Sequence, residues 1–141
     1  MRLWSWQLLP YLSDLQFKGQ LREMVAIKRD WETKGKTNHL LINRVMEYPK
    51  DDLTGYATLY AIEYENRYGK KIALKEFIQF SDGLAHTPPF EGWHNKEYLR
   101  VCYANLYEKH KFGVGKSRIT DEEWQILLDG YKKITGETYE I

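Results

Sequence analysis

Hydrophobic side chains recur at three- and four-residue intervals along several stretches of the chain, and this spacing predicts α-helices. The first stretch begins at Ser13 and Asp14, which are favourable N-cap residues, and continues to about Trp31. The second follows Pro49, carries two aspartates in its first turn and ends before Gly69. Its tyrosines have the spacing of one packing stripe: Tyr56, Tyr60 and Tyr64.

The second half of the chain contains further helical signals. Residues 95–111 have a helical pattern with Asn95 as the cap, and Thr120 followed by Glu123 is a capping box that starts the last helix. A short helix is expected over residues 73–80, whereas the stretch SDGLAHTPPFEGW is a loop because prolines and glycines interrupt it. The segment LLINRVMEY fits either a short strand or a helical turn. We therefore predict an all-α protein, with residues 1–141 as a single compact domain of about four to five helices and long loops.

Composition narrows the class of protein. Hydrophobic residues make up 43% of the chain and aromatic residues 15%, which excludes a disordered chain. The single cysteine, Cys102, cannot form an intrachain disulfide, as is typical of a cytoplasmic protein. No run approaches the roughly 20 apolar residues of a membrane-spanning helix, and the opening apolar run is too short and interrupted for a signal peptide. We expect a cytoplasmic protein without a membrane partner.

Charge is distributed unevenly along the chain. The net charge is only +1, which argues against a strongly basic nucleic-acid binder. Residues 1–50, however, carry nine Lys and Arg against five acids, and the remainder carries 12 against 15. The amino-terminal third is therefore suited to an anionic partner.

One face of the first predicted helix carries candidate chemistry. Residues at three- and four-residue steps share this face: Gln16, Gly19, Gln20, Glu23 and Ala26. The two small side chains leave space for a large group to approach the Glu23 carboxylate. The neighbouring face carries Lys18, Arg22 and Arg29, which suit phosphates. Taken alone, this helix fits an ordinary solvated helix with routine charges better than a site.

The segments MRLW and LLPYLSDLQFKGQLRE resemble the pyrimidine-dimer DNA glycosylases, the group that includes phage endonuclease V. Bacterial members commonly open with Met-Arg-Leu-Trp and carry a stretch similar to LxGQHRE. The pieces HLLINRV and EYLRVCYANLYEKH also resemble their counterparts, so the likeness covers most of the chain in pieces.

The resemblance implies an all-α fold and a two-stage reaction on damaged double-stranded DNA that needs no cofactor and no metal. The amino-terminal α-amine, here that of Met1, attacks C1′ of the sugar, the base leaves, a Schiff base forms, and β-elimination cuts the strand. Glu23 corresponds to the glutamate that assists the sugar chemistry and the proton transfers. An α-amine suits this role because its pKa of about 7.7–8.0 leaves part of it neutral at pH 7.

Three features depart from the family pattern. Methionine removal usually requires a small second residue, so Met1 is expected to remain before Arg2, whereas the phage enzyme exposes a threonine. Leu21 stands where many bacterial members have histidine. The low net charge predicts modest non-specific affinity for DNA. These departures leave open a member with an altered substrate or one without activity.

The resemblance implies further DNA contacts, and each has a plainer alternative. Arg2 and Arg22 are predicted to hold phosphates beside the lesion, or Arg22 pairs with an acid on its own helix. Lys28 is predicted to contact DNA, or it is a solvated lysine. His39 is predicted to contact DNA or move a proton, or it caps a turn. Trp4 is interpreted, together with Trp6, as an anchor of the chain's start against the core rather than as a wedge in DNA.

Other patterns are excluded. His86, His94 and His110 lack metal-ligand spacing with Cys102. The stretch FGVGKSR lacks the spacing of a phosphate-binding loop and a preceding strand. We expect a monomeric DNA repair enzyme. The alternatives are a non-catalytic nucleic-acid-binding module of the same fold and a protein-interaction domain that uses exposed aromatic residues.

Overall fold

Helices account for the secondary structure of the protein. A computed structural model describes residues 2–137. It contains five α-helices: α1 (Asp14–Lys34), α2 (Lys50–Tyr68), α3 (Lys75–Phe80), α4 (Lys96–Lys111) and α5 (Asp121–Thr135). Three short 3-10 helices span Trp6–Tyr11, Ile42–Glu47 and Gly115–Ser117. No strand forms between residues 2 and 137, so the all-α prediction is confirmed.

Local capping signals fix the ends of the helices. Thr120 and Glu123 form the predicted capping box of α5, whereas Ser13 occupies the N-cap position of α1 without a capping hydrogen bond from its side chain. Helix α1 extends past Trp31 to Lys34, because the chain turns only at Gly35, whose φ is 68°. The ambiguous segment around Ile42–Glu47 is helical, so its strand alternative is wrong.

The predicted tyrosine stripe of α2 packs into the core with two of its three members, and Tyr64 is half-buried against the core. Tyr56 and Tyr60 are fully buried. The Tyr60 ring stacks on Phe17 of α1 with the ring centres 4.3 Å apart, and its hydroxyl donates to the Phe17 carbonyl at 2.7 Å. Burial raises the pKa of Tyr60, so this hydroxyl keeps its proton at neutral pH. The stripe thus fixes α1 against α2 and sets the orientation of the face that carries Glu23.

The 3-10 helix Trp6–Tyr11 leads the chain from its first residues to α1. It packs against α2 and α5. Arg67 of α2 donates to the Leu9 carbonyl at 3.1 Å and the Leu12 carbonyl at 2.7 Å, and its guanidinium lies 4.2 Å from the centre of the Phe17 ring. Glu63 pairs with the same guanidinium at 3.0 Å. The entry to α1 is therefore held by charge-assisted hydrogen bonds.

The long loop after α3 closes over α2. A Cβ added at Gly55 would lie 1.8 Å from the carbonyl oxygen of His86, so only glycine permits this approach. Asp52 of α2 accepts from the Phe90 amide at 2.8 Å, which fastens the end of the loop. None of the described helices is long and apolar enough to cross a membrane.

Candidate functional site

The start of the chain lies against the carboxylate of Glu23. The amide nitrogen of Arg2 donates to Glu23 Oε2 at 2.8 Å, although 21 residues separate the two in sequence. Glu23 is half-buried on α1, in the middle of the predicted face. Met1, the predicted nucleophile, lies outside the described residues.

Gln20 binds the backbone of the first residues with both ends of its side-chain amide. Its Oε1 accepts from the Trp4 amide at 2.8 Å, and its Nε2 donates to the Arg2 carbonyl at 2.8 Å. Tyr56 adds a hydrogen bond from its hydroxyl to the Trp4 carbonyl at 2.6 Å. Gln20 is only 1% exposed, so its hydrogen bonds to this segment are shielded from water. Its side-chain amide offers the segment one acceptor and one donor, as the backbone of a neighbouring strand would.

Helix α4 and the residue before its N-cap hold the other side of this segment. Tyr98 donates from its hydroxyl to the Leu3 carbonyl, and the Ser5 amide donates to Cys102 Sγ at 3.4 Å. The Trp6 amide donates to His94 Nδ1 at 3.3 Å. Burial, with a smaller contribution from the nearby charge of Arg44, lowers the pKa of His94 to about 3. The imidazole is therefore neutral at physiological pH, which leaves Nδ1 free to accept.

Trp4 has the anchoring position that we predicted. It is 5% exposed and belongs to the hydrophobic core. The Arg2 guanidinium lies 4.8 Å from the centre of the Trp4 ring, on the exposed side of the segment. The first residues therefore direct one aromatic side chain into the core and one cation towards solvent.

Open space lies on both sides of Glu23. A cavity of about 290 Å³ is lined by Arg2, Trp4, Gln16, Gly19, Gln20, Glu23 and Lys109. A second cavity, of about 330 Å³, is lined by Gly19, Arg22, Glu23, Ala26 and His39. The five residues that we predicted to share one helix face all line one or both cavities. A Cβ added at Gly19 would meet only Arg22 Nη2, at 3.6 Å, so the small residue keeps the approach to Glu23 open.

A larger cavity adjoins these two and shares Arg2 and His39 with them. Its volume is about 710 Å³, and its lining includes Leu40, Leu41, Arg44, Trp93 and Tyr98. Arg44 also lies 5.6 Å from the centre of the Trp93 ring. The three cavities together form a continuous cationic and partly aromatic surface around Glu23.

The structure brings three of the four predicted DNA-contact residues to this surface. Arg2, Arg22 and His39 line the cavities. Within residues 2–137, Arg22 forms no ion pair with an acid of α1, whereas Lys18 pairs with Asp14. The exposed position of Arg22 therefore favours the phosphate interpretation over the alternative of pairing within the helix.

Lys28 lies elsewhere. Its side chain is 11% exposed, forms an ion pair with Glu32 and lies 5.8 Å from the centre of the Phe80 ring. It lines none of the cavities described above. The alternative of a solvated lysine does not fit Lys28, because most of its side chain is buried. A DNA contact by Lys28 stays a prediction.

Sequence reasoning missed Lys109. This residue, in the last turn of α4, lines the same cavity as Glu23, and Asn105 one turn earlier lines the large cavity. Eighty-six positions separate Lys109 from Glu23, so helical periodicity does not relate them. The available signal was the basic stretch around Lys109 and Lys111 at the end of the helical pattern. No group of three or more potential metal ligands occurs in the described part of the chain.

Comparison with known proteins supplies the assignment of the chain. A family model described as pyrimidine dimer DNA glycosylase matches residues 1–76, more than half of the 141 residues. No match to the chain occurs among the curated proteins or the solved structures. The matched residues include α1, Glu23 and the segment that Gln20 holds. The chain belongs to the pyrimidine dimer DNA glycosylase family.

Proposed function

We propose that this member of the family is a DNA glycosylase with associated lyase activity on pyrimidine dimers in double-stranded DNA, with the α-amine of Met1 as nucleophile and Glu23 as the assisting carboxylate. The observation that carries the proposal is the 2.8 Å hydrogen bond from the Arg2 amide to Glu23 Oε2. Bond lengths alone keep the nitrogens of adjacent residues within about 4 Å of each other. This limit supports the proposal that a free amine on Met1 reaches the same carboxylate.

The proposed reaction breaks three bonds of the nucleotide in sequence. The neutral amine attacks C1′ of the sugar, and the bond from C1′ to the base breaks. The base keeps the electron pair and takes up a proton, and it stays joined to the other pyrimidine of the dimer. The attached amine then loses a proton, the C1′–O4′ bond breaks as O4′ takes up a proton, and the nitrogen lone pair forms a C1′–N double bond, the protonated Schiff base. Removal of a C2′ proton expels the 3′ phosphate oxygen, which cuts the strand. Water finally releases the amine.

Glu23 is suited to both stages. A carboxylate beside C1′ stabilises the positive charge that develops on the sugar as the base leaves. The same group accepts and returns protons during ring opening and elimination. Gly19 keeps the space beside it open, so a sugar can approach without moving α1.

DNA binding is proposed to use the cations around the cavities. Arg2, Arg22 and Lys109 surround Glu23 on different elements, and guanidinium groups match phosphate oxygens well. His39 lies on the same surface and either contacts DNA or moves a proton. Leu21, which stands where many bacterial members have histidine, is half-buried against the core and lines none of the three cavities. Its position therefore gives it no direct part in the proposed contacts with DNA. The monomeric state and the inclusion of residues 77–141 in the same domain belong to the proposal.

Borohydride trapping tests the chemistry. Wild-type protein with a free amino terminus is incubated with abasic-site DNA and borohydride, which reduces a Schiff base to a stable adduct. We expect an adduct from the wild type, none when one residue is added before Met1, and loss of strand cutting in Glu23→Gln. Glu65→Gln, an exposed carboxylate on α2, is the matched control and should behave as the wild type.

Two results would contradict the proposal. Wild-type protein that binds the DNA without forming an adduct supports the non-catalytic binding module. Adduct formation that survives extension of the amino terminus shows that the Met1 amine is not required, because the amine of the added residue or of a lysine then forms the adduct. Cutting of ultraviolet-irradiated but not undamaged duplex tests the lesion, since removal of a dimer requires the irradiated substrate.

A further inference from the structure

Two consecutive leucines are highly exposed to solvent beside the candidate site. Leu40 is 88% exposed and Leu41 is 87% exposed, in the turn between α1 and the 3-10 helix Ile42–Glu47. Single exposed leucines are common on protein surfaces, but an adjacent pair at the edge of a cavity is a feature typical of a binding surface.

The turn that carries these leucines is well held. Ile42 and Asn43 donate their amides to the His39 carbonyl at 3.0 and 3.2 Å, and Asn43 Oδ1 accepts from the Thr37 amide at 2.7 Å. Ile42 and Val45 are buried immediately after the pair. The leucines are therefore presented by an ordered turn, so little further ordering is needed when they bind.

Charge around the turn identifies the kind of partner. Residues 33–46 contain no acid, and they include Lys34, Lys36 and Arg44. The leucines share the lining of the 710 Å³ cavity with Arg2 and Arg44. An apolar tip beside two arginines, on a stretch of chain without acids, is complementary to stacked bases between two phosphate backbones, and proteins that kink duplexes insert leucine in this way.

The position of the turn links it to the reacting atoms. His39, the residue before Leu40, lines the cavity that also contains Glu23 and Arg22. A duplex with its damaged nucleotide at Glu23 would therefore meet the leucine pair within a nucleotide or two of that position. The base stack must open somewhere near the lesion before an amine can reach C1′ inside a duplex.

We propose that Leu40 and Leu41 form a wedge that enters the DNA duplex beside the reacting nucleotide and unstacks it. The proposal rests on the proposed function, because it takes the nucleotide at Glu23 as its reference point. The wedge contributes on duplex DNA, where stacking must be disrupted. It contributes nothing on single-stranded DNA, whose bases are already accessible.

The first test compares trapping rates on two substrates. In Leu40→Ser/Leu41→Ser, we expect the rate of borohydride trapping on duplex abasic DNA to fall about tenfold or more, because the bases that flank the abasic site are stacked in the duplex and must be separated before the amine reaches C1′. The rate on single-stranded abasic DNA should stay within about twofold of the wild type. Leu84→Ser is the matched control. Leu84 is 89% exposed, but it lies in another loop, two residues after Asp82, and lines none of the described cavities.

The second test does not depend on catalysis. In the Glu23→Gln background, a duplex with 2-aminopurine next to an abasic site should become more fluorescent on binding, and the two leucine substitutions should abolish this rise. Salt dependence of binding should be unchanged, because phosphate contacts remain.

Equal losses on duplex and single-stranded DNA, an undiminished fluorescence rise in the double variant, or a matching loss in Leu84→Ser would overturn the wedge. A change in oligomeric state that accounts for the loss would overturn it as well, since the pair would then be a contact between copies. Wild-type protein that forms no adduct even with single-stranded abasic DNA refutes the proposed function, and the fluorescence measurement still decides the wedge.

Discussion

Gln20 offers the sharpest test of how the start of the chain is positioned. In Gln20→Leu, the side chain keeps its approximate size but loses the acceptor for the Trp4 amide and the donor to the Arg2 carbonyl, each at 2.8 Å. Because Trp4 is 5% exposed, water cannot readily replace the acceptor that its amide loses.

The expected loss of stability follows from these two contacts. A buried amide left without a partner costs about 1–3 kcal/mol, and the more accessible Arg2 carbonyl adds about 0.5–1.5 kcal/mol. We expect the free energy of unfolding to fall by about 2–4 kcal/mol, which corresponds to a Tm lowered by about 10 °C. Domains of this size commonly have about 5–15 kcal/mol of stability, so the variant should remain folded at 25 °C.

Catalysis should suffer more than stability. Without Gln20, residues 2–4 lose their attachment to the face of α1 that carries Glu23, and a reacting group displaced by about 1 Å can lose a factor of about 100 in rate. Urea unfolding gives the stability, and single-turnover borohydride trapping on abasic DNA gives the rate. Gln125→Leu is the control, because within residues 2–137 the side chain of this glutamine bonds to Asp129 alone, on the surface of α5.

A Gln20→Leu variant that is trapped at the wild-type rate would refute the reasoning. The reactive end would then be positioned without the two hydrogen bonds. A rate loss no larger than the fraction of unfolded protein would also contradict it.

Three further predictions concern stability and access to the site. Gly19→Ala should raise the free energy of unfolding by about 0.5–1 kcal/mol yet slow trapping, because the methyl group narrows the approach to Glu23. Gly55→Ala should instead lower the free energy of unfolding by about 1–3 kcal/mol or more. Denaturant titration measures both changes, and a change of the same sign in the two variants would contradict the contacts described. Because folding lowers the pKa of His94 from 6.5 to about 3, stability is full above about pH 6.5 and falls as the pH drops towards 3, by up to about 1.4 kcal/mol per pH unit. His94→Asn should flatten the pH dependence between pH 6.5 and 5, and an unchanged slope would exclude His94 as its source. Arg67→Met should lower the free energy of unfolding by about 3–5 kcal/mol in denaturant titration, because it leaves the largely buried Glu63 carboxylate without its ion-pair partner. The double variant Arg67→Met/Glu63→Leu should recover part of this loss, because it removes that carboxylate as well.

The helices were predictable where local chemistry decides them. Asn95 and the Thr120 capping box each start a helix as the sequence indicated, because a cap needs only residues within one turn. Helix α1 also begins after Ser13 as predicted, although the Ser13 side chain makes no capping hydrogen bond. The shared face around Glu23 was predictable for the same reason, since helical spacing alone brings its residues together.

The remaining features depend on contacts between distant residues. The 3-10 helix Trp6–Tyr11 was not predicted, since it contains Pro10 and is held by α2 and α5 rather than by its own sequence. Lys109 reaches the cavity only through the packing of α4. The burial of Lys28 could not be predicted, because its four-residue spacing from Glu32 is the same for a buried ion pair as for a solvent-exposed ion pair.

The fastening of the first residues has a consequence for synthesis of the protein. The partners of residues 2–6 on α4, Tyr98 and Cys102, are synthesised about a hundred residues after this segment. This end of the chain therefore cannot take its final place until α4 has emerged. A nascent chain that stops before α4 lacks these anchors, so the arrangement at Glu23 is completed late in translation.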